Sequence, residues 1–469
     1  TQARVVDPAR DVELQGFDLS AEGGTIAVGV ALQTAVDVRI RDVSGAGFSR
    51  ALFELGPGSR GVRLEQIRSR GEVNAIVLAS SAMDVTIAAV QRTANRKRAD
   101  DRGIPRGLIT FQHRCTSVIV TSGILVGGCI GLRTWGGHHI YFSDLLIRDM
   151  DPTLALERDV LLEGGVVGVG VDSGAGPLDH AEFARDVSYV NVHLENCRQP
   201  SVLDQASWYL HDIWGVTITG CSIVNKGASA STATSHVTGM LASDVSGAID
   251  SLTIQGANYA FRTRNVTVDL EIQLLEILGT AGEGYNGNLG VWLDHRVDVS
   301  GKSPRFVHLK MSNVPYYFYA GTDFQNDPDW RILVDRFEAD GFTAEACIIT
   351  YSSEAPFAMG EVAEVDPEVT AQTRLKTPAG PSSRCVVVAS GAPHSHGTRF
   401  MLASQRPNGV THVLCTSAEV AYGDLLIASA SSPRRAEVDN SPADPFVVLG
   451  KALHAKPAGA EGLVLIGPA

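Results

Sequence analysis

No apolar run in the 469 residues approaches the roughly 18 that a membrane-spanning helix needs, so membrane insertion is not expected. The seven cysteines, Cys115, Cys129, Cys197, Cys221, Cys347, Cys385 and Cys415, are dispersed without a Cys-x-x-Cys pair. That argues against a zinc ribbon or a disulfide framework. Basic residues are scarce: 39 Lys and Arg stand against 52 Asp and Glu, a formal charge of -13. This disfavours a nucleic-acid partner, whose affinity would come from clustered positive charge. The start, Thr1-Gln-Ala-Arg-Val-Val-Asp7, has no initiator Met and no basic-then-apolar leader, which leads to the expectation of a processed or trimmed chain. Helical periodicity is nearly missing before residue 380, and with it the alternation of strand and helix that a doubly wound fold requires. What remains is 44% apolar and rich in glycine (48 residues), enough for a sizeable core.

That apolar content is organised as a repeat. The pattern aliphatic, any, aliphatic, any, polar or small, aliphatic or Cys begins at Val38, Val62, Val85, Ile140, Val192, Val216, Leu252 and Ile332, with a longer copy at Val118. Alternation of this kind is a strand signal, because side chains leave a strand on alternate faces. Starts at 38, 62 and 85, at 118 and 140, and at 192 and 216 are spaced by 22 to 24 residues. Such a period matches one turn of a single-stranded, right-handed parallel β-helix, a solenoid whose coils cover one another. A second short strand sits between copies, as in Ala75–Ala79, Leu108–Gln112 and Cys129–Arg133. Cys197 and Cys221 fall in one slot of successive copies and are expected to be reduced, apolar core residues.

Three copies are stretched, with extra residues near 92–106, 148–165 and 225–235. Insertions at one phase of a solenoid project from one side, commonly the binding side. Outward positions of the second strands, aligned on Ala79, give a column of Gln112, Arg133, Asp172 and Asp204. Coils stack at about 4.8 Å, so Asp172 and Asp204 would supply paired carboxylates for glycosidic cleavage, with Arg133 beside them. The same column also describes the solvated face of any such solenoid. Asp179, His180 and Glu182 follow Asp172, while Trp208 and His211 follow Asp204; with Gln112 these are the candidate sugar-binding residues. No metal or cofactor is expected there. Asp323, Asp327 and Asp329 form one short acidic loop in which calcium is conceivable, although the spacing is not that of an EF-hand.

Near residue 365 the pattern changes. Residues 1–365 read as the parallel β-helix, 366–383 as a Pro- and Thr-rich linker, and 384–469 as a small antiparallel β-domain of short, closely spaced strands that caps or trimerises the chain. The passages Gly423-Asp-Leu-Leu-Ile, Val447-Val-Leu-Gly-Lys-Ala-Leu and Gly462-Leu-Val-Leu-Ile resemble the small β-modules that end phage structural proteins. The whole layout resembles bacteriophage tailspike and tail-fibre proteins. That resemblance implies a homotrimer located in the virion tail or outside the cell, contacting other tail proteins and a host surface polysaccharide. It implies a glycoside hydrolase or polysaccharide lyase, or else a receptor-binding fibre without catalysis; a secreted bacterial lyase is the third reading. The Asn-Thr-Asp, Asp-Asp and Gly-His-Gly set of polygalacturonase-like β-helices is missing, so that activity does not carry over.

Overall fold

The computed structural model describes residues 3–4, 10–21, 28–70, 75–92, 107–112, 114–128, 130–150, 166–169, 184–197, 205–225, 237–279, 289–294, 304–314, 316–320, 333–339, 341–352, 357–365, 374–381, 385–390, 400–404 and 410–469. Among these the regular structure is β throughout, apart from a short 3-10 turn at Pro445–Val447. Among the described residues no helix is long and apolar enough to cross a membrane. The chain divides into two compact units, residues 1–264 and 265–469.

In the first unit each strand pairs in parallel with the strand two places further along the chain. One ladder runs through Glu13–Ser20, Arg39–Ala46, Arg63–Ser69, Met83–Arg92, Thr116–Val126, His138–Arg148 and Ala184–Glu195. The other runs through Val28–Leu32, Ala51–Leu55, Ala75–Ser80, Gly107–Gln112, Ile130–Trp135, Val166–Val169, Gln205–Thr219 and Val237–Ile249.

The sequence pattern of the first ladder has a local cause. In Met83–Arg92, Val85 and Ile87 point inward by simple alternation, and Ala89 then adopts φ +55°. This left-handed residue lets the strand bend so that Val90, not Ala89, returns to the core. The same position is held by Asp42, Gln66, Ser122, Asp144 and Asn191 on neighbouring strands, all at positive φ. Asp and Asn tolerate that conformation best.

The strand also carries the pattern a second time, since Leu145, Ile147 and Met150 follow Ile140 and Phe142 with another left-handed residue, Asp149. Two copies in the sequence reading therefore belong to the second half of their strands. Ile140 pairs with Val187, not Val192, and Ser188 pairs with Thr217. Cys197 and Cys221 consequently do not share a slot: His193 pairs with Ser222, which sets Cys221 beside Val192. Both thiols are nonetheless free and buried, and burial pushes Cys197 up to about 12 and Cys221 to about 11.

The interior of the first unit carries a file of aromatic rings. Phe111 and Phe142 lie 6.1 Å apart, Phe142 stacks on Tyr189 at 5.2 Å, and Tyr189 meets Trp208 edge-on at 5.0 Å. All four are fully buried. Stacked tiers bring equivalent positions together, so one aromatic per tier builds a continuous column.

In the second unit, Glu271–Leu278 of a long strand pairs in parallel with Arg305–Ser312, which pairs with Leu333–Ala339. Leu333–Ala339 then turns back through Gly341 (φ +86°) into Phe342–Ser352, and this pair is antiparallel. Phe342–Ser352 pairs again with Phe400–Ser404 and, at Ala344–Thr411, with Thr411–Cys415. Within 366–383, Arg374–Lys376 is a short strand paired to Val362–Val365. Val362, Val387, Val413, Cys415, Leu426 and Val464 share one core cluster.

Candidate functional site

Five of the residues expected at the site, Asp172, Asp179, His180, Glu182 and Asp204, lie outside the described residues, as do Asp323, Asp327 and Asp329. Gln112, Arg133, Trp208 and His211 are described, and of the expected column Gln112 and Arg133 do not share a row. Ala79 pairs with Phe111 and is buried, whereas Gln112 pairs with Ser80 on one side and Trp135 on the other. Arg133 pairs with Thr110, in the row that continues through Val167 to Tyr209. The sequence alignment was one residue out at Ala79 and two out at Arg133. A two-residue slip leaves every side chain on its original face, so hydrophobic alternation does not detect it.

Trp208 is a correction of a different kind. At 0% exposure it belongs to the internal aromatic file and offers no plane to a ligand. Alternation decides this, because Trp208 and Leu210 point inward while Tyr209 and His211 take the opposite face. Arg133 is also largely buried, with its guanidinium 4.8 Å from the centre of the Trp135 ring.

The parallel register puts Gln112, Trp135, Val169, His211 and Ser243 in one row across successive strands. At the end of this row the structure collects a group that the sequence reading did not assemble. His211 Nε2 lies 3.3 Å from Asp212 Oδ2, and His211 Nδ1 lies 4.0 Å from Asp244 Oδ2. One ligand-type atom from each of the three residues falls within 4.8 Å of the others.

The backbone explains how adjacent residues meet. Successive side chains of a regular strand diverge, but Asp212 and Asp244 both sit at positive φ, +53° and +50°. Each kink swings its carboxylate toward the face of the preceding residue, so His211 meets Asp212 and Ser243 Oγ donates to Asp244 Oδ2 at 3.4 Å. His211 and Ser243 are register partners, so the two aspartates occupy equivalent kinks on neighbouring strands. The kinks are followed by Gly215 and by Gly247, where φ is +140° and a Cβ would collide with Val216 O.

The legible signal was therefore a pair of related pentapeptides, His211-Asp-Ile-Trp-Gly215 and Ser243-Asp-Val-Ser-Gly247. Asp244 was missed because it lies on Val237–Ile249, next in the ladder but two strands further along the chain than the one carrying His211.

Exposure grades the three groups. The Asp212 side chain is 9% exposed, against 25% for His211 and 27% for Asp244. Tyr209 stacks against the His211 ring, with centroids 5.9 Å apart, and His211 Nδ1 lies 3.3 Å from the Ser243 carbonyl. An imidazole fixed between a buried and an accessible carboxylate can move protons to and from a bound molecule. The donor set of one nitrogen and two carboxylates could also hold a divalent cation.

The first ladder carries two open grooves. One, of about 570 Å3, is lined by Asp37, Arg63, Asp84, His139, Ile119 and Tyr141. The other, of about 840 Å3, is lined by Gln66, Arg68, Gln91, Asp144, Asn191 and His193, among others. In the second groove Asn191 Nδ2 donates to Asp144 Oδ1 at 3.1 Å, and His193 Nδ1 lies 2.8 Å from Ser222 Oγ.

No protein-family model matches the chain, and no curated protein matches it. Among solved structures it is similar to the tailspike protein of E. coli bacteriophage HK620. The pentasaccharide complex of that protein is 10% identical over 84% of this chain and 72% of that one, with a TM-score of 0.41. A mutant of it in complex with a hexasaccharide is 12% identical, covering 85% and 75%, with a TM-score of 0.43. The tailspike gp61 of Pseudomonas phage phi297 is 13% identical over 79% of this chain and 64% of that one, with a TM-score of 0.38.

Proposed function

We propose that this chain is a tailspike-like right-handed parallel β-helix that binds a host surface polysaccharide and cleaves it at His211, Asp212 and Asp244. The observation that carries the reading is the gathering of these three groups within 4.8 Å at equivalent kinks of neighbouring strands. Asp244 and His211, the more exposed pair, act on the glycosidic bond, and the nearly buried Asp212 orients the imidazole. The two ladders are successive faces of one coil, and the oligosaccharide extends along the row toward Trp135 and Gln112. Asp172 and Asp204, with Arg133, stay in the proposal as further acidic and basic groups of the cleft, and Asp179, His180 and Glu182 as sugar contacts. A homotrimeric assembly in the virion tail, docked on other tail proteins, completes the picture.

The substrate class follows from the sequence resemblance, and the chemistry follows from the cluster. Incubating the protein with purified capsular or O-antigen polysaccharide and following reducing ends tests both. Release of discrete oligosaccharides is the expected result, and added ultraviolet absorbance from unsaturated ends would assign a lyase instead of a hydrolase. The second reading is a receptor-binding spike without catalysis, favoured by the two open grooves of the first ladder. Tight binding with no release of reducing ends, across polysaccharides that the protein retains, would select it.

A further inference from the structure

The strands Phe342–Ser352 and Thr411–Cys415 of the second unit meet along a short seam. Their register pairs Ala344 with Thr411 alone among the described residues. Two further links flank that pair, and in both a backbone N–H donates to a titratable side chain. Thr343 N donates to His412 Nδ1 at 3.0 Å, and Val410 N donates to Glu345 Oε2 at 3.1 Å. Neutral His412 accepts through an unprotonated Nδ1, and a proton on that nitrogen occupies the lone pair that takes the N–H.

A second imidazole contact lies next to the seam. His412 is the direct cross-strand partner of Leu465, and Leu465 N donates to His454 Nδ1 at 3.2 Å. We propose that this seam is an acid-opened junction, closed by neutral His412 and released when that imidazole takes a proton.

The surroundings of His412 favour the neutral form. Phe342 of the facing strand lies against its ring, with centroids 5.3 Å apart. From the same strand Glu345 is the charged group beside the seam, and it is tied to Arg336 at 3.8 Å. The strand Gly462–Gly467 on the other side brings no titratable side chain, and His454 is the remaining imidazole facing the site. Burial is the main cause that holds the His412 pKa below the ordinary histidine value, and it outweighs the smaller opposing effect of the Thr343 contact; His454 acts in the same direction as burial.

The sign follows by linkage. A depressed folded-state value means that the unfolded chain takes the proton more readily, so His412 supports folding above the unfolded value of about 6.5 and loses that support as pH falls through its folded value.

Hydrogen exchange with mass-spectrometric readout tests this on the full chain. Peptides covering 341–346 and 408–414 are followed at about pH 7.5 and about pH 5.5, rates being corrected for intrinsic exchange. The expected result is a loss of protection of at least about tenfold at Thr343 at the lower pH, comparable to one lost hydrogen bond. The Val413–Val464 core keeps its protection at that pH. In His412→Asn the side-chain oxygen accepts the Thr343 N–H without titrating, and protection there is expected to be equal at both values. Equal protection of Thr343 at both values in the unmodified protein would overturn the proposal. So would an undiminished loss in a folded His412→Asn variant. If that variant loses core protection, the comparison on the unmodified protein decides alone.

Discussion

Trp208 lies edge-on to Tyr189 at 5.0 Å with no exposed surface, so its removal acts on stability. Trp208→Ala leaves a ring-sized void in a close-packed interior and is expected to cost about 3–5 kcal/mol, read as a lowered denaturant midpoint. Affinity for polysaccharide per folded molecule should stay unchanged. An unaltered midpoint with lost binding would instead return Trp208 to the ligand. Asp212 and Asp244 illustrate the opposite case, in which one backbone angle gives a residue its chemistry. At φ near +50° each carboxylate shares a face with its predecessor, and without that kink His211 and Asp212 would point apart. A periodicity argument carries no information about such kinks, and for this reason Asp244 could not be joined to His211 from alternation alone.

At the scale of the strand, the left-handed position of the first ladder sets both the bend and the sequence pattern. Ala89 is exposed there at φ +55°, where its neighbours in register carry Gln66 and Ser122, and further along Asp144 and Asn191. A left-handed alanine costs roughly 1–2 kcal/mol, which Asn relieves in part through local hydrogen bonding. Ala89→Asn should therefore raise the thermal midpoint by a few degrees, and a lower midpoint would show that the kink is not the strained feature.

Strand positions, parallel stacking period and buried aliphatics were legible in the sequence because alternation and a 22-to-24-residue spacing report them directly. Register was not. The pattern recurs in both halves of one strand, so Val192 and Leu252 were matched to the wrong half, and a slip of two residues at Arg133 left the faces unchanged. Of the site, His211 was found from its residue type. Its partner Asp244 emerged only when His211 and Ser243 were seen to be paired.

At the scale of the molecule, the acidic balance of -13 disfavours a nucleic-acid partner, and under the proposed function it suits an uncharged or locally neutralised glycan. The first unit supplies a rigid parallel framework, its rows fixed by backbone pairing, and rigid elements are what hold acid–base groups at a constant separation. In the second unit Thr411–Cys415 pairs along its length with Gly462–Gly467, and His412 adds a link from it to Thr343.

The most direct measurement compares cleavage rates of the unmodified protein with Asp244→Asn, Asp172→Asn and Asp204→Asn on one polysaccharide that it depolymerises. Loss of a positioned acid–base group lowers the rate by about 10²–10⁴. That loss is expected for Asp244→Asn with binding retained. An Asp244→Asn variant that cleaves at the unmodified rate, while Asp172→Asn or Asp204→Asn does not, would contradict the assignment of the reaction to His211, Asp212 and Asp244.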